Sequence, residues 1–362
     1  MPPPPKRRAT GPDPLPGQRA RGALLGLAIG NALAVPTAGR PFFAPSFPQL
    51  AEGPYLDLHG GGPHELRKGQ VTEPTQLAVA LTLSLRDVKR YDAADALRRY
   101  RAWQSHAFAV SEPMKEVLQE CEAGMTSQVK EAGRRVWLKN FRRVAPAGAL
   151  PRVVPLGVHL TKDPFALAKA ALEDTALTHF DPRCQLASAG LCAAIAKAVT
   201  GGPTLKAADL LPAAEVGISL AGAALGRQEK DHVQEVARAS ALLREDLALA
   251  AQDDPQLYGP ELHLHRPGNN AVRAAFRLAF WELLHVPTVE RALVDVIHRG
   301  GDTEVHASIT GALLGAFHGE DALPAEWRQK VLLALQPYNP LQKGTVLWEV
   351  YHPRHLLLLA PA

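Results

Sequence analysis

Asp302 and Glu304 stand two residues apart, directly after Gly300-Gly301, and His306 follows one helical turn beyond Asp302. Two carboxylates and an imidazole at one helix end could together hold Zn²⁺ or Mn²⁺, which accept oxygen and nitrogen donors. A second acidic start is Thr72-Glu73-Pro74. Both stretches also have a structural reading. Threonine suits an N-cap, an acid suits the first turn, and proline suits a position whose amide hydrogen is not needed. Asp302 with Glu304 suits a helix N-terminus equally well. The glycines of His59-Gly-Gly-Gly-Pro63 could approach a phosphate or simply make a flexible turn. His263, His265, His352 and His355 lie in proline-rich context without metal-ligand spacing. Neither a nucleophile elbow nor a P-loop is present.

Something must position these groups. Ala307, Gly311, Gly315 and Gly319 recur every four residues, so they line one face of a helix starting near Asp302. Each interior glycine costs about 1 kcal/mol relative to alanine, and close packing of a second backbone is the usual offset. Gly22, Gly26 and Gly30 repeat the spacing, followed by Asn31. The pattern predicts two small-faced helices in contact, with polar residues at their ends. Further helices are predicted over 72–85, 91–104, 111–123, 127–142, 163–177, 184–200, 205–226, 229–251, 271–285, 288–299, 302–318 and 324–335. Residues 36–70, 143–155 and 252–270 read as loops. Two-residue alternation is scarce, so the fold is expected to be all-α. Residues 1–18 hold seven prolines and are expected to form a disordered tail before a domain over 19–362.

The net charge of +4 comes from residues 1–21, where five cations face Asp13, and the remainder sums to zero. A basic nucleic-acid surface is therefore not expected on the body. Cys121, Cys184 and Cys192 form no CxxC pair and read as reduced thiols. No apolar run reaches the length of a membrane span and no signal segment is visible, so no membrane association and a cytoplasmic location are expected.

The stretch from Gly22 to Thr37 resembles the opening motif of the ADP-ribosylglycohydrolases. Val71-Thr72-Glu73-Pro74-Thr75-Gln76 resembles the first metal-binding motif of that family, normally Thr-Asp-Asp-Thr. Gly301-Asp302-Thr303-Glu304-Val305 resembles the second, normally Gly-Asp-Thr-Asp-Thr. Between them, Leu177-Thr178-His179-Phe180-Asp181-Pro182-Arg183 resembles the Leu-Thr-His-x-Asp-Pro-Arg stretch. Gly148-Ala149-Leu150-Pro151-Arg152-Val153-Val154-Pro155 resembles a ligand-loop motif. Five motifs in order span residues 20–330.

The resemblance implies a compact, single-domain, orthogonal helical bundle that binds ADP-ribose or an ADP-ribosylated macromolecule. It implies two divalent cations that help break an ADP-ribosyl glycosidic bond. Carried over position by position, Thr72, Glu73, Asp302 and Glu304 are the expected Mg²⁺ ligands, with Glu73 and Asp302 the catalytic acids. Asn31, Gly148, His179, Gly301 and Thr303 are the expected ligand contacts. The motifs also depart from the family. Pro74 replaces an aspartate, Val305 replaces a threonine, and Glu73 and Glu304 each replace an aspartate. Asn31 and Ala38 stand where an aspartate and a glutamate are usual, Ala147 where an asparagine is, and Pro151 where a methionine is. Mg²⁺ demands near-ideal octahedral oxygen geometry, so one ion or none is expected rather than two. The implied function is an ADP-ribosylglycohydrolase-like protein with impaired or lost hydrolysis and retained ADP-ribose binding. The alternatives are a working hydrolase with an altered metal site and an interaction scaffold.

Overall fold

The computed structural model describes residues 14–40, 55–121, 130–252, 271–336 and 347–360. Fourteen α-helices are formed among them. They are α1 Pro16–Ala34, α2 Glu73–Val88, α3 Ala93–Gln104, α4 Glu112–Glu120, α5 Glu131–Lys139, α6 Ala149–His159 and α7 Pro164–Ala176. Then follow α8 Pro182–Val199, α9 Leu210–Gln228, α10 Val233–Ala250, α11 Val272–His285, α12 Val289–His298, α13 Thr303–His318 and α14 Ala325–Leu333. Short 3₁₀ turns punctuate them, and the described residues contain two isolated bridges but no strand. The all-α expectation holds, and one main apolar core runs from α1 to the turns after residue 347.

The spine is the pair α1 and α13. A Cβ added to Gly26 would lie 2.0 Å from the Gly311 carbonyl oxygen, and one at Gly22 would lie 2.1 Å from that of Gly315. At Gly30 it would meet the Ala307 carbonyl oxygen at 2.0 Å. The two backbones touch along the whole predicted stripe. This contact offsets the low helix propensity of glycine and fixes the end of α1 against the start of α13, where the acidic motifs lie.

Three expectations need correction. Helix α1 begins at Pro16, so residues 16–18 are helical rather than tail. Pro16 occupies the first helical position, where its missing N–H is no loss, and the Leu15 amide donates to Gln18 Oε1 at 2.9 Å. Residues 1–13, the rest of the expected tail, lie outside the described residues. The expected loop 143–155 is largely helix α6. Pro151 sits in its first turn, where amide donors are orphaned anyway, and Pro155 is carried in the helix interior by a segment buried from Ala149 to Val158. Finally, residues 207–228 are long and apolar enough to cross a membrane by length and composition. That helix packs Ala214, Ile218, Ala221 and Leu225 inward. Its hydropathy is an average that tolerates the occasional Glu215, which a search for unbroken apolar runs misses.

Of the triple glycine 60–62, Gly60 packs against the Leu66 carbonyl and Gly62 against the Val35 carbonyl just past α1, while Gly61 is exposed. The loop expected over 252–270 falls, from residue 253 on, outside the described residues. Cys121, Cys184 and Cys192 are free, the last two buried.

Candidate active site

Helices α2 and α13 start side by side, and their first turns carry the acids. Thr72 is the residue before α2, followed by Glu73 and Pro74 in its first turn. Asp302 precedes α13, with Glu304 in its first turn. Gly300 and Gly301 both have φ of +74°, a conformation that favours glycine, and they turn the chain out of α12 into α13. The Gly301 amide donates to the Arg40 carbonyl at 3.2 Å, and the Gly39 amide donates to the Gly301 carbonyl at 2.9 Å. This ties the turn to the segment that follows α1.

The hydrogen bonds of this cluster run inward. Asn31 Oδ1 accepts from the Thr72 amide and the Thr75 hydroxyl, both at 2.8 Å. Asn31 Nδ2 donates to Thr72 Oγ1 at 2.8 Å, and the Thr72 hydroxyl donates to Glu304 Oε1 at 2.8 Å. Glu73 turns away from its own helix. Its Oε2 accepts from the Ser111 amide at 2.5 Å and its Oε1 from the Ser111 hydroxyl at 2.7 Å, which anchors the start of α4. Thr303 is fully buried, its hydroxyl 3.2 Å from both the Ala34 carbonyl and Thr37 Oγ1.

The carboxyls share one electrostatic neighbourhood. Burial pushes Asp302 up to about 6, with the Val305 amide pulling the other way. Burial, and then the charges of Asp302 and Glu73, push Glu304 up to about 7 against the Thr72 hydrogen bond. Burial also raises Glu73, partly offset by the two bonds from Ser111.

A second cluster is built around Arg152, a fully buried guanidinium on α6. Arg152 Nε donates to Asp174 Oδ1 and Nη2 to the Asp174 carbonyl, both at 2.8 Å. Tyr100 donates to Asp174 Oδ2 at 2.8 Å, and the guanidinium carbon lies 4.7 Å from the Tyr100 ring centre. Arg152 Nη1 donates to Thr178 Oγ1 at 2.9 Å. The Thr178 hydroxyl therefore has its proton available for His179 Nδ1, 2.8 Å away. Burial and the Arg152 charge hold His179 neutral, with its pKa lowered to about 3. With Nδ1 accepting, the ring proton sits on Nε2. A Cβ at Gly148 would lie 3.2 Å from that nitrogen. His179 lines a cleft of about 390 Å³ walled by Trp137, Phe180, Pro146 and the first turns of α4.

Thus Thr72, Glu73, Asp302, Glu304 and Asn31 come together, and Gly148 meets His179 in a neighbouring cluster. Sequence reasoning missed Ser111 and the role of Arg152. Arg152 was visible only as an unexplained arginine in a motif, and Ser111 carried no signal, because its contact spans 38 residues.

His306 does not join the acids. It is buried on α13, both ring nitrogens lack a hydrogen-bond partner among the described residues, and burial lowers its pKa to about 4. An unpaired buried polar group costs about 1–3 kcal/mol, so His306→Leu is expected to raise Tm by about 2 °C or more at pH 7.5. The gain should be larger at pH 5. The folded-state pKa is depressed, so wild-type stability falls as pH drops from the unfolded value near 6.5 toward about 4. Thermal melts of both proteins at the two pH values check this.

A pair of Mg²⁺ ions would need several free oxygen donors at this site. Pro74 and Val305 offer no side-chain donor, both Glu73 oxygens are bonded to Ser111, and Thr72 Oγ1 lies between Asn31 and Glu304. No group of three or more His, Cys, Asp or Glu among the described residues is arranged to hold a metal. These residues do not fit a binuclear centre.

The chain is similar to known proteins over most of its length. The ADP-ribosyl-[dinitrogen reductase] glycohydrolase of Rhodospirillum rubrum is 24% identical over 325 residues, covering 86% of this chain and 90% of that protein. A putative ADP-ribosyl glycohydrolase of Acanthamoeba polyphaga mimivirus is 25% identical over 338 residues, covering 87% and 91%. A solved structure titled ADP-ribosylglycohydrolase-related protein complex shares the fold, with a TM-score of 0.66 at 22% identity, over 95% of this chain and 98% of that one. The model of the family described as ADP-ribosylglycohydrolase matches residues 12–351, nearly the whole chain, and this chain therefore belongs to the ADP-ribosylglycohydrolase family.

Proposed function

We propose that this protein binds ADP-ribose, free or attached to a macromolecule, and hydrolyses the ADP-ribosyl glycosidic bond poorly or not at all. The observation that carries the reading is the Glu73–Ser111 clasp. The carboxylate expected to serve chemistry instead has both oxygens bonded to the start of α4. Binding is supported by the cleft beside His179, whose volume of about 390 Å³ lies in the usual range for small-ligand sites. His179 Nε2 supplies a neutral donor there.

The reading assigns roles without a metal step. His179 would orient the ligand through Nε2–H, and Arg152 would fix His179 through Thr178. Asn31, Thr72 and Glu304 would hold the two helix starts together. Misplacing a reacting group by about 1 Å can cost a hundredfold in rate. The test is an assay of N- and O-linked ADP-ribosyl substrates in Mg²⁺, Mn²⁺ and Zn²⁺, with the Rhodospirillum rubrum relative run alongside. Turnover at least about a hundredfold lower, with ADP-ribose still bound, is the expected result. Comparable turnover would refute the proposal.

A further inference from the structure

A second cleft, about 380 Å³ in volume, lies across Trp137 from the one beside His179. Four arginines line it, Arg142, Arg143, Arg183 and Arg238, against two acids, Asp181 and Glu235. Both acids are already engaged. Asp181 takes Arg183 Nε at 2.8 Å and Nη2 at 2.9 Å, and also accepts from the Trp137 indole at 3.0 Å. Glu235 takes Arg142 Nη1 at 2.8 Å, and its other oxygen lies 2.9 Å from His232 Nδ1. Arg143 and Arg238 are exposed and form no ion pair among the described residues, so two guanidiniums without a partner there face one concavity.

The backbone is bent to present them. Phe141 and Arg142, just past α5, have φ of +55° and +60°. Non-glycine residues adopt this conformation at a cost and persist in it only where the surroundings hold them. Here the Arg142 amide donates to the Trp137 carbonyl at 3.0 Å, and the Arg142 guanidinium lies 5.5 Å from the Trp137 ring centre. The turn delivers Arg142 and Arg143 to the cleft together.

We propose that this cleft binds the phosphate of a small phosphorylated ligand, at a site separate from the one beside His179. A planar guanidinium matches two phosphate oxygens at once, and a dianion would neutralise the two unpaired cations. A cleft of this volume admits a small molecule but encloses no extended chain. The inference does not rest on the proposed function, because neither Glu73 nor His179 takes part.

The test is calorimetric titration of inorganic pyrophosphate into the full chain at low ionic strength, with citrate as a carboxylate control. The expected result is binding of pyrophosphate at least about tenfold tighter than citrate. Arg143→Gln with Arg238→Gln should weaken pyrophosphate binding by about tenfold or more, with unchanged Tm since both side chains are exposed. A saturating concentration of ADP-ribose should leave the pyrophosphate titration unchanged. The proposal is overturned by absent binding, by equal binding of citrate, by an unaffected double variant, or by competition with ADP-ribose. The variant result stands whether or not ADP-ribose binds, so failure of this inference is separable from failure of the functional proposal.

Discussion

Gly26→Ala is expected to destabilise the fold severely, by about 3 kcal/mol or more, because an inserted methyl meets backbone rather than a movable side chain. The added Cβ would lie 2.0 Å from the Gly311 carbonyl oxygen, so α1 and α13 would have to separate. That motion would also pull apart the helix starts that Asn31, Thr72 and Glu304 hold together. Gly226→Ala in α9 is the control, since beyond the adjacent residues and its own helix backbone no atom of the described residues lies within 4 Å of its new Cβ. There the ordinary gain in helix propensity, about 0.5–1 kcal/mol, should appear with opposite sign. Urea titrations of both variants measure the two effects. Equal stability of Gly26→Ala and wild type would show that the helices are not in backbone contact.

Asp174→Ala should be at least as damaging. It leaves the Arg152 guanidinium buried without its counter-charge, and breaking one side of a buried pair costs about 3–5 kcal/mol. Tyr100 loses its acceptor as well. The double variant Arg152→Met with Asp174→Leu should be less destabilised than Asp174→Ala, since a well-packed apolar replacement removes the orphaned charge. It would still lose ligand binding, because the bond from Arg152 through Thr178 to His179 would be gone. A denaturation series with an ADP-ribose titration on each variant separates the structural effect from the positioning effect. If Arg152→Met and Asp174→Leu made singly destabilised by amounts that add up to the double variant, the pair would not be coupled.

The glycine stripe was the most legible feature of the sequence. A four-residue period specifies a helix face, and three small residues on the α1 face and four along the α13 face leave little but each other's backbone to pack there. The starts of α2 and α13 were legible for a similar reason, because Thr72-Glu73-Pro74 and Gly-Gly-Asp are local signals. Helix α6 was not legible. Its two prolines and Gly148 argue locally against a helix, and burial overrides them. The fates of individual site residues were equally hidden. Asn31 and Thr303, expected to touch ligand, spend their polar atoms within the fold, through contacts 41 or more residues distant in sequence. Glu73 reads as a ligand or a cap, and its bond to Ser111 follows from neither.

On the proposed function, the cleft beside His179 takes ADP-ribose without the binuclear metal centre that the motifs imply. Calorimetric titration of ADP-ribose in Mg²⁺ and again in EDTA tests it most directly. The account predicts one ligand per chain, with dissociation constants in the two buffers agreeing within about threefold, under 1 kcal/mol. Binding that requires Mg²⁺ and vanishes in EDTA would contradict it, and would return Glu73, Asp302 and Glu304 to service as metal ligands.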